Sequence, residues 1–236
     1  MEPTEEMRRR YSRQTVLEEI GIEGQMRLLA GSVGIVGCGA LGSMAAMQLA
    51  GAGVGRIGFA DFDTIDISNL QRQLFFSEKD CGKLKCEFLA ERMLAINSGI
   101  AVEPLPSFLT PSSIDDWIAR YDFIIEATDN SSSKFMVDKA CEEMMKPCCI
   151  GGVRGFSGQI STFFGDGLRY RDIFCDVPED GVTPCAMTGV IGPTAAIVAS
   201  VQASEAIKWI TGAGEPMSRR ILTFNLLNGD WNVIEL

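Results

Sequence analysis

The feature that most constrains the fold is a glycine-rich turn between two short apolar runs. The first run is Ser32–Val36 and the second is Arg56–Ala60. Between them lie the turn Gly37–Gly42, with the sequence GCGALG, and a stretch of small residues at Ser43–Ala52 that is typical of a helix. Strand, glycine turn, helix and strand in this order make a βαβ unit, in which the two strands run parallel.

The rest of the chain continues this alternation of strand-like and helix-like segments. The predicted helices are Lys83–Asn97, Ser112–Arg120, Ser131–Met145 and a buried helix within Gly189–Ile210, and the predicted strands are Ala101–Leu105, Phe123–Glu126, Cys148–Ile150 and Gln159–Phe164. Ile221–Asn225 and Trp231–Glu235 flank the turn Asn228-Gly229 as paired strands. We therefore predict one α/β domain over residues 1–236, with a Rossmann-like, mainly parallel sheet, helices on both faces, antiparallel C-terminal strands and an N-terminal helical segment at 1–30.

Composition excludes several classes of function. The 236 residues contain no histidine, which excludes Ser-His-Asp and Cys-His catalysis and every zinc site with histidine ligands. The net charge of -10 argues against a nucleic-acid partner, because lysine and arginine supply most of that affinity. The eight cysteines form no C-x-x-C pair, and no signal peptide or membrane span is evident, so we expect reduced thiols and a cytoplasmic protein.

The glycine turn fits the pattern G-x-G-x-x-G of nucleotide-binding sites. Gly37, Gly39 and Gly42 would let backbone N–H groups and a helix N-terminus approach a phosphate. Asp61 and Asp63 follow the next strand, where a carboxylate can accept hydrogen bonds from ribose hydroxyls. The pattern alone favours a nicotinamide or flavin cofactor, and a purely structural turn is the alternative.

The loop after the second strand points to a triphosphate instead. Arg72 could brace the β- and γ-phosphates, while Asn69 and Gln73 hold the phosphates or the loop, because a guanidinium matches phosphate geometry better than an ammonium does. Lys85, at the start of the next helical pattern, would add a second cation. The alternatives are a solvated loop and an ordinary surface lysine.

Asp129 follows the predicted strand Phe123–Glu126. Ligands of parallel sheets collect at the carboxyl ends of the strands, which favours a binding role. The residue could equally cap the helix that begins near Ser131. The local sequence leaves both roles open.

Together these motifs resemble the ubiquitin-activating-like adenylyltransferase family that includes MoeB, ThiF and HesA. The resemblance spans nearly the whole chain and rests on Arg10–Gln14, GCGALG, DFDTIDISNLQRQ from Asp61, Gly82–Lys85, Ala127–Asn130, Gly151-Gly152, Gly158-Gln159 and Cys185–Lys208. It implies an enzyme that uses ATP and magnesium to activate the C-terminal Gly-Gly of a small ubiquitin-like sulfur-carrier protein. A carboxylate is already anionic near neutral pH, so this reaction requires no histidine base.

The resemblance also implies roles for individual residues. The family's nucleotide positions match Ala40, Asp61, Asn69, Arg72, Lys85 and Asp129, and the same segments add Gly37, Gly39, Gly42, Asp63, Ser68, Gln73 and Asn130 as candidate contacts. Asp129 also matches the magnesium ligand. Arg13 matches an arginine that enters the neighbouring subunit's active site, which implies a homodimer. Cys185 matches a cysteine that can bond covalently to the activated carrier, although it could also be a buried structural cysteine.

Several positions depart from the family pattern. Arg169–Asp172 stands where many relatives carry C-x-x-C pairs for a structural zinc, so we expect no zinc. Lys134 and Asp138 stand where relatives commonly carry arginine and asparagine. The resemblance therefore does not determine how phosphate is bound or how the helix packs at these two positions. Residues 172–184 are predicted to form a crossover loop over the substrate tail or an ordinary exposed loop.

Three other functions stay open on the sequence. They are an NAD-dependent oxidoreductase, an adenylyltransferase for a small-molecule carboxylate, and a non-catalytic, nucleotide-dependent scaffold for a ubiquitin-like partner. Hydride transfer without ATP consumption would favour the first. Pyrophosphate exchange with each type of substrate and mass spectrometry of an AMP-carrier product would distinguish the others.

Overall fold

The computed structural model describes residues 4–165, 167–174 and 189–236, and its centre is a single sheet. The strands are β1 (Ser32–Val36), β2 (Arg56–Ala60), β3 (Ala101–Leu105), β4 (Phe123–Glu126), β5 (Cys148–Arg154), β6 (Ser157–Phe163), β7 (Arg220–Asn225) and β8 (Asp230–Glu235). Their spatial order is β3-β2-β1-β4-β5-β6-β7-β8. The pairs from β3 to β5 are parallel, and those from β5 to β8 are antiparallel. The predicted mainly parallel sheet with antiparallel C-terminal strands is confirmed.

Helices cover both faces of the sheet, as predicted. They are α1 (Glu5–Arg10), α2 (Ser12–Thr15), α3 (Gly21–Ala30), α4 (Ala40–Ala52), α5 (Lys85–Ile96), α6 (Ile114–Ile118), α7 (Ser131–Glu143), α8 (Tyr170–Ile173) and α9 (Gly192–Thr211). One hydrophobic core lies between the sheet and α4, α5 and α9, and a second lies under α6 and α7. Within the described ranges, no helix has both the length and the apolar character needed to traverse a bilayer.

Successive residues of the central strands fill these two cores alternately. In β1, Val33 and Ile35 belong to the core with α4 and α9, whereas Val36 belongs to the core with α7. Such continuous burial is expected for a central parallel strand, because helices cover both faces of the sheet. The chain adds β2 and β3 on one side of β1 and β4 and β5 on the other. The strand order therefore reverses between β1 and β4. Open α/β sheets bind ligands next to such a reversal, at the carboxyl ends of the strands.

Several element boundaries near this edge differ from the predictions, and the largest differences are at α4 and β5. Helix α4 begins at Ala40 rather than Ser43, because Gly37, at φ +95°, turns the chain directly into the helix. Strand β5 continues to Arg154 rather than Ile150, because it pairs with β6 after its pairing with β4 has ended. Of the crossover loop predicted at 172–184, only 172–174 lie within the described residues.

Candidate functional site

A cleft of about 1390 Å³ lies at the carboxyl ends of the parallel strands. Its walls come from the turn after β1, the loop after β2, and the turn between β4 and α7. Strands β5 to β8 form its floor. The cleft therefore occupies the place where this class of sheet binds ligands.

The turn after β1 faces this cleft. Gly37, Gly39 and Ala40 line it, α4 begins at Ala40, and no side chain caps the helix at Gly39. The first N–H groups of a helix have no intrahelical partner and carry partial positive charge. The turn can therefore hold an anionic phosphate.

Asp61 is held at the end of β2 by two backbone donors. The Cys38 N–H donates to its Oδ2 at 2.5 Å, and the Asp63 N–H donates to its Oδ1 at 2.7 Å. Burial raises the pKa of Asp61, and the two hydrogen bonds oppose that rise. Each carboxylate oxygen keeps a further lone pair, so the side chain can still accept hydrogen bonds from ribose hydroxyls.

The loop after β2 brings Arg72 into the lining of the cleft. A short 3-10 helix starts this loop, and the Asp66 carboxylate caps it by accepting from the Ser68 N–H at 2.8 Å. The Asn69 carbonyl accepts from the N–H groups of Arg72 and Gln73 at 3.0 and 2.9 Å. Arg72 donates from Nη1 to the Ser68 carbonyl at 3.0 Å, which leaves the rest of its guanidinium for an anion.

Lys85 supplies a second cation at the start of α5. Its Nζ donates to Asp63 Oδ2 at 2.8 Å, and its side chain is only 6% exposed. Gln73 is also buried in the lining of the cleft, and its Oε1 has no hydrogen-bond partner among the described residues. Buried polar atoms rarely lack a partner, so this amide is available to a ligand.

The turn between β4 and α7 exposes Asp129 in the cleft. Asn130, not Asp129, caps α7, because its Oδ1 accepts from the Ser133 N–H at 2.7 Å. The described residues offer Asp129 no hydrogen bond or ion pair. A free carboxylate suits Mg²⁺, which is commonly held by one or two carboxylates together with substrate phosphates. The described part of the chain holds no cluster of three or more acidic or cysteine side chains that could form an all-protein metal cage.

The floor of the cleft is a polar sheet face. Strand register places Gly152, Gln159, Thr223 and Asn232 in one row across β5 to β8, and Arg154, Ser157, Asn225 and Asp230 in the next row. All of these residues line the cleft. On the opposite face, a Cβ on Gly158 would meet both Phe224 and Val198 of α9 within 3 Å, so that face is closely packed. The open face offers hydrogen-bonding groups to an extended ligand.

Comparison with known families matches residues 11–236 to the ThiF family. The chain belongs to the ThiF family. It is 39% identical over 230 residues to the "Adenylyltransferase and sulfurtransferase MOCS3" of Bos taurus, covering 97% of this chain and 50% of that protein. It is 35% identical over 235 residues to the "Sulfur carrier protein adenylyltransferase" of Thermus thermophilus, covering 97% of this chain and 87% of that protein. The chain thus spans about half the length of the MOCS3 relative.

Solved structures of similar proteins share the fold of this ThiF-family chain. PaaA has a TM-score of 0.84 at 22% identity, with 98% of this chain and 74% of PaaA covered. Escherichia coli MccB, solved with ATP, has a TM-score of 0.83 at 24% identity, with 96% of this chain and 71% of MccB covered. At this level of identity the likeness concerns the fold.

The structure brings most of the predicted site residues into one cleft. Those that line it are Gly37, Gly39, Ala40, Asp61, Asp63, Ser68, Asn69, Arg72, Gln73, Lys85, Asp129 and Asn130. Gly42 is not in the lining, because it packs against the Gly37 carbonyl inside the turn. Arg13 lies in α2, outside the cleft lining, and Cys185 lies outside the described residues.

Sequence reasoning missed an aromatic pair in the lining of this ThiF-family cleft. Phe62 and Phe108 are both exposed, and their rings meet edge to face with centroids 5.6 Å apart. Such surfaces suit a planar base. The position of Phe62, directly after Asp61, was the only signal in the sequence, since Phe108 reaches the site through the fold.

Proposed function

We propose that this protein adenylylates the C-terminal Gly-Gly carboxylate of a small ubiquitin-like sulfur-carrier protein, with ATP as the second substrate. The observation that carries the proposal is the meeting of Asp61, Arg72, Lys85 and Asp129 in one cleft. Membership of the ThiF family supports it, as does the relative named "Sulfur carrier protein adenylyltransferase". These residues form a triphosphate site, which a nicotinamide-dependent oxidoreductase would not require.

The lining residues suggest how ATP binds. Asp61 accepts hydrogen bonds from the ribose, and the aromatic pair Phe62 and Phe108 contacts the adenine. The N-terminus of α4 and Arg72 hold the phosphates. Lys85, already ion-paired with Asp63 beside this site, adds positive charge there. Asp129 would hold Mg²⁺, which neutralises developing phosphate charge when bound.

The chemical step requires alignment more than proton transfer. A carboxylate oxygen of the terminal glycine attacks the α-phosphorus, the bond from that phosphorus to the bridging oxygen breaks, and pyrophosphate leaves with its electron pair. The products are an acyl-adenylate and pyrophosphate. Arg72 and Lys85 stabilise the charge that develops on the leaving group, so the absence of histidine is no obstacle.

The polar floor provides a place for the carrier tail. Its two rows of hydrogen-bonding side chains run across β5 to β8 and lie in the same cleft as Asp129. An extended tail needs backbone hydrogen bonds but little apolar contact when its last residues are glycines. A covalent role for Cys185 after adenylylation and a cytoplasmic location stay predictions.

The reaction is tested by offering the protein ATP, Mg²⁺ and a ubiquitin-like sulfur carrier encoded by the same genome. We expect a carrier heavier by one AMP in mass spectrometry and carrier-dependent exchange of labelled pyrophosphate into ATP. A carrier that lacks its last two glycines is the control and should give neither signal. Binding of the carrier without either signal would favour a scaffold, and exchange with a small carboxylate alone would identify a different substrate.

We further propose a homodimer in which Arg13 completes the partner's cleft, since this arginine does not line the cleft of its own chain. An equimolar mixture of the Arg13→Ala and Arg72→Ala variants is the test. Each variant alone should be inactive. After subunit exchange, the mixed dimer has one intact site, so about one quarter of the normal pyrophosphate exchange should return. Activity no greater than the sum of the separate variants would exclude the trans role.

A further inference from the structure

The turn that carries Asp129 begins where β4 and β5 separate. The two strands are paired up to Glu126 and Ile150, after which β4 ends and β5 continues towards the floor of the cleft. The Nζ of Lys134, from the first turn of α7, lies in the gap. It donates to the Glu126 carboxylate, to the Thr128 carbonyl at 3.0 Å and to the Gly151 carbonyl at 2.8 Å.

The chemistry of an ammonium group fits this gap. A lysine ammonium has three N–H donors, and each has an acceptor here. Lys134 is 9% exposed and Glu126 is fully buried. Without the cation, a buried carboxylate would lose its ion-pair partner and two carbonyls would lose a donor.

The same network holds the turn from its other side. The second oxygen of Glu126 accepts from the Thr128 hydroxyl and from the Thr128 N–H at 2.9 Å. Thr128 is therefore fixed through its N–H, hydroxyl and carbonyl, directly before Asp129. On the opposite face of the sheet, Gln202 donates to the Glu126 carbonyl at 2.7 Å and so holds the strand but not the turn.

We propose that Lys134 is a positioning residue that holds the Asp129 turn at a fixed distance from β5. Through its hydrogen bond to Thr128, Lys134 fixes the position of the neighbouring Asp129 carboxylate, which would hold Mg²⁺. Through its hydrogen bond to Gly151, it fixes that position relative to β5, which continues into the floor of the cleft. The Lys134 ammonium thus links the turn that carries Asp129 to the polar floor proposed for the carrier tail. The consequence for Mg²⁺–ATP binding rests on the proposed function, whereas the order of the turn does not.

The test compares Lys134→Met, Lys134→Arg and Asp138→Asn in the full chain. Asp138, one helical turn further along α7, forms a buried ion pair with Arg169 at 2.9 Å that does not involve the turn, so it is the matched control. Calorimetry measures the gain in ATP affinity on adding Mg²⁺. Hydrogen exchange in the nucleotide-free protein measures the order of the turn at residues 128–130.

We expect Lys134→Met to reduce the Mg²⁺-dependent gain about tenfold and to accelerate exchange in the turn. Lys134→Arg keeps a cation with several donors and should preserve both readouts, and Asp138→Asn should change only the melting temperature. If Lys134→Met does not fold, Lys134→Gln replaces it with the same expectations, because a neutral amide has only two N–H donors for the three acceptors and leaves the buried Glu126 carboxylate without a cation. The proposal would be overturned if the uncharged variants kept the normal Mg²⁺-dependent gain in ATP affinity and normal hydrogen exchange in the turn. It would also be overturned if Asp138→Asn lost as much as they do in both measurements, or if Lys134→Arg failed to preserve them. A wild-type protein that binds no ATP would contradict the proposed function, and hydrogen exchange would still decide the role of Lys134.

Discussion

The Arg72→Ala variant should lose pyrophosphate exchange by about 100- to 1000-fold while keeping its fold, because preorganised charge at a reacting phosphate has effects of that size. The Arg72 side chain lines the cleft, and its only described hydrogen bond goes to the Ser68 carbonyl. Removing it breaks no ion pair of the described residues. The measurement is carrier-dependent exchange of labelled pyrophosphate into ATP, with thermal unfolding recorded on the same sample.

The Arg72→Lys variant separates the charge from the shape of the side chain. Lysine keeps the positive charge but lacks the planar fork that binds two phosphate oxygens at once. We expect partial activity, above that of alanine and well below that of arginine. Normal exchange in Arg72→Ala would remove Arg72 from the mechanism. A large fall in melting temperature would instead assign it a structural role.

The parallel half of the fold was predictable because its signals are local. The run Ser32–Val36 reads as a buried strand, the glycines at 37 and 39 mark the turn, and small residues continue into α4. Asp61, Asn69 and Arg72 then reach the cleft simply because they follow the carboxyl end of β2. In such a sheet the position of a loop is set by the strand before it.

The floor of the cleft was not predictable in the same way. Arg154 and Asp230 lie in one row only because β5, β6, β7 and β8 adopt a particular register. Shifting one strand by a single residue would turn its polar side chains to the opposite face. The sequence predicts that β7 pairs with β8 across the turn Asn228-Gly229, but the register across all four strands also depends on contacts between segments far apart in the chain.

The role of Asp129 was ambiguous for a different reason. Asp129 and Asn130 are both good helix caps, and the start of a helix can be predicted only to within a residue or two. The structure assigns the cap to Asn130, which leaves the Asp129 carboxylate free in the cleft. Likewise, the sequence leaves Lys134 open between a phosphate contact and helix packing, and only the separation of β4 from β5 in the structure gives its ammonium three acceptors.

The second large effect is expected at Gly42, which the glycine pattern assigned to the nucleotide. A Cβ at this position would lie 1.8 Å from the Gly37 carbonyl oxygen and 3.3 Å from a methyl carbon of Ile35. The first obstacle is backbone, so the N-terminus of α4 must move away from the turn. Gly42→Ala should therefore lower the free energy of unfolding by about 3 kcal/mol, the upper end for overpacked sites, and abolish detectable ATP binding.

Gly51→Ala is the matched control in the same helix. Gly51 is exposed near the end of α4, and a Cβ there would meet nothing within 4 Å. Alanine in a helix interior is favoured over glycine, so this variant should raise the free energy of unfolding by about 0.5–1 kcal/mol and leave ATP affinity unchanged. Urea unfolding and calorimetry with ATP measure both quantities. A Gly42→Ala variant that keeps normal stability but loses ATP would place this glycine in direct contact with the nucleotide and contradict the packing role.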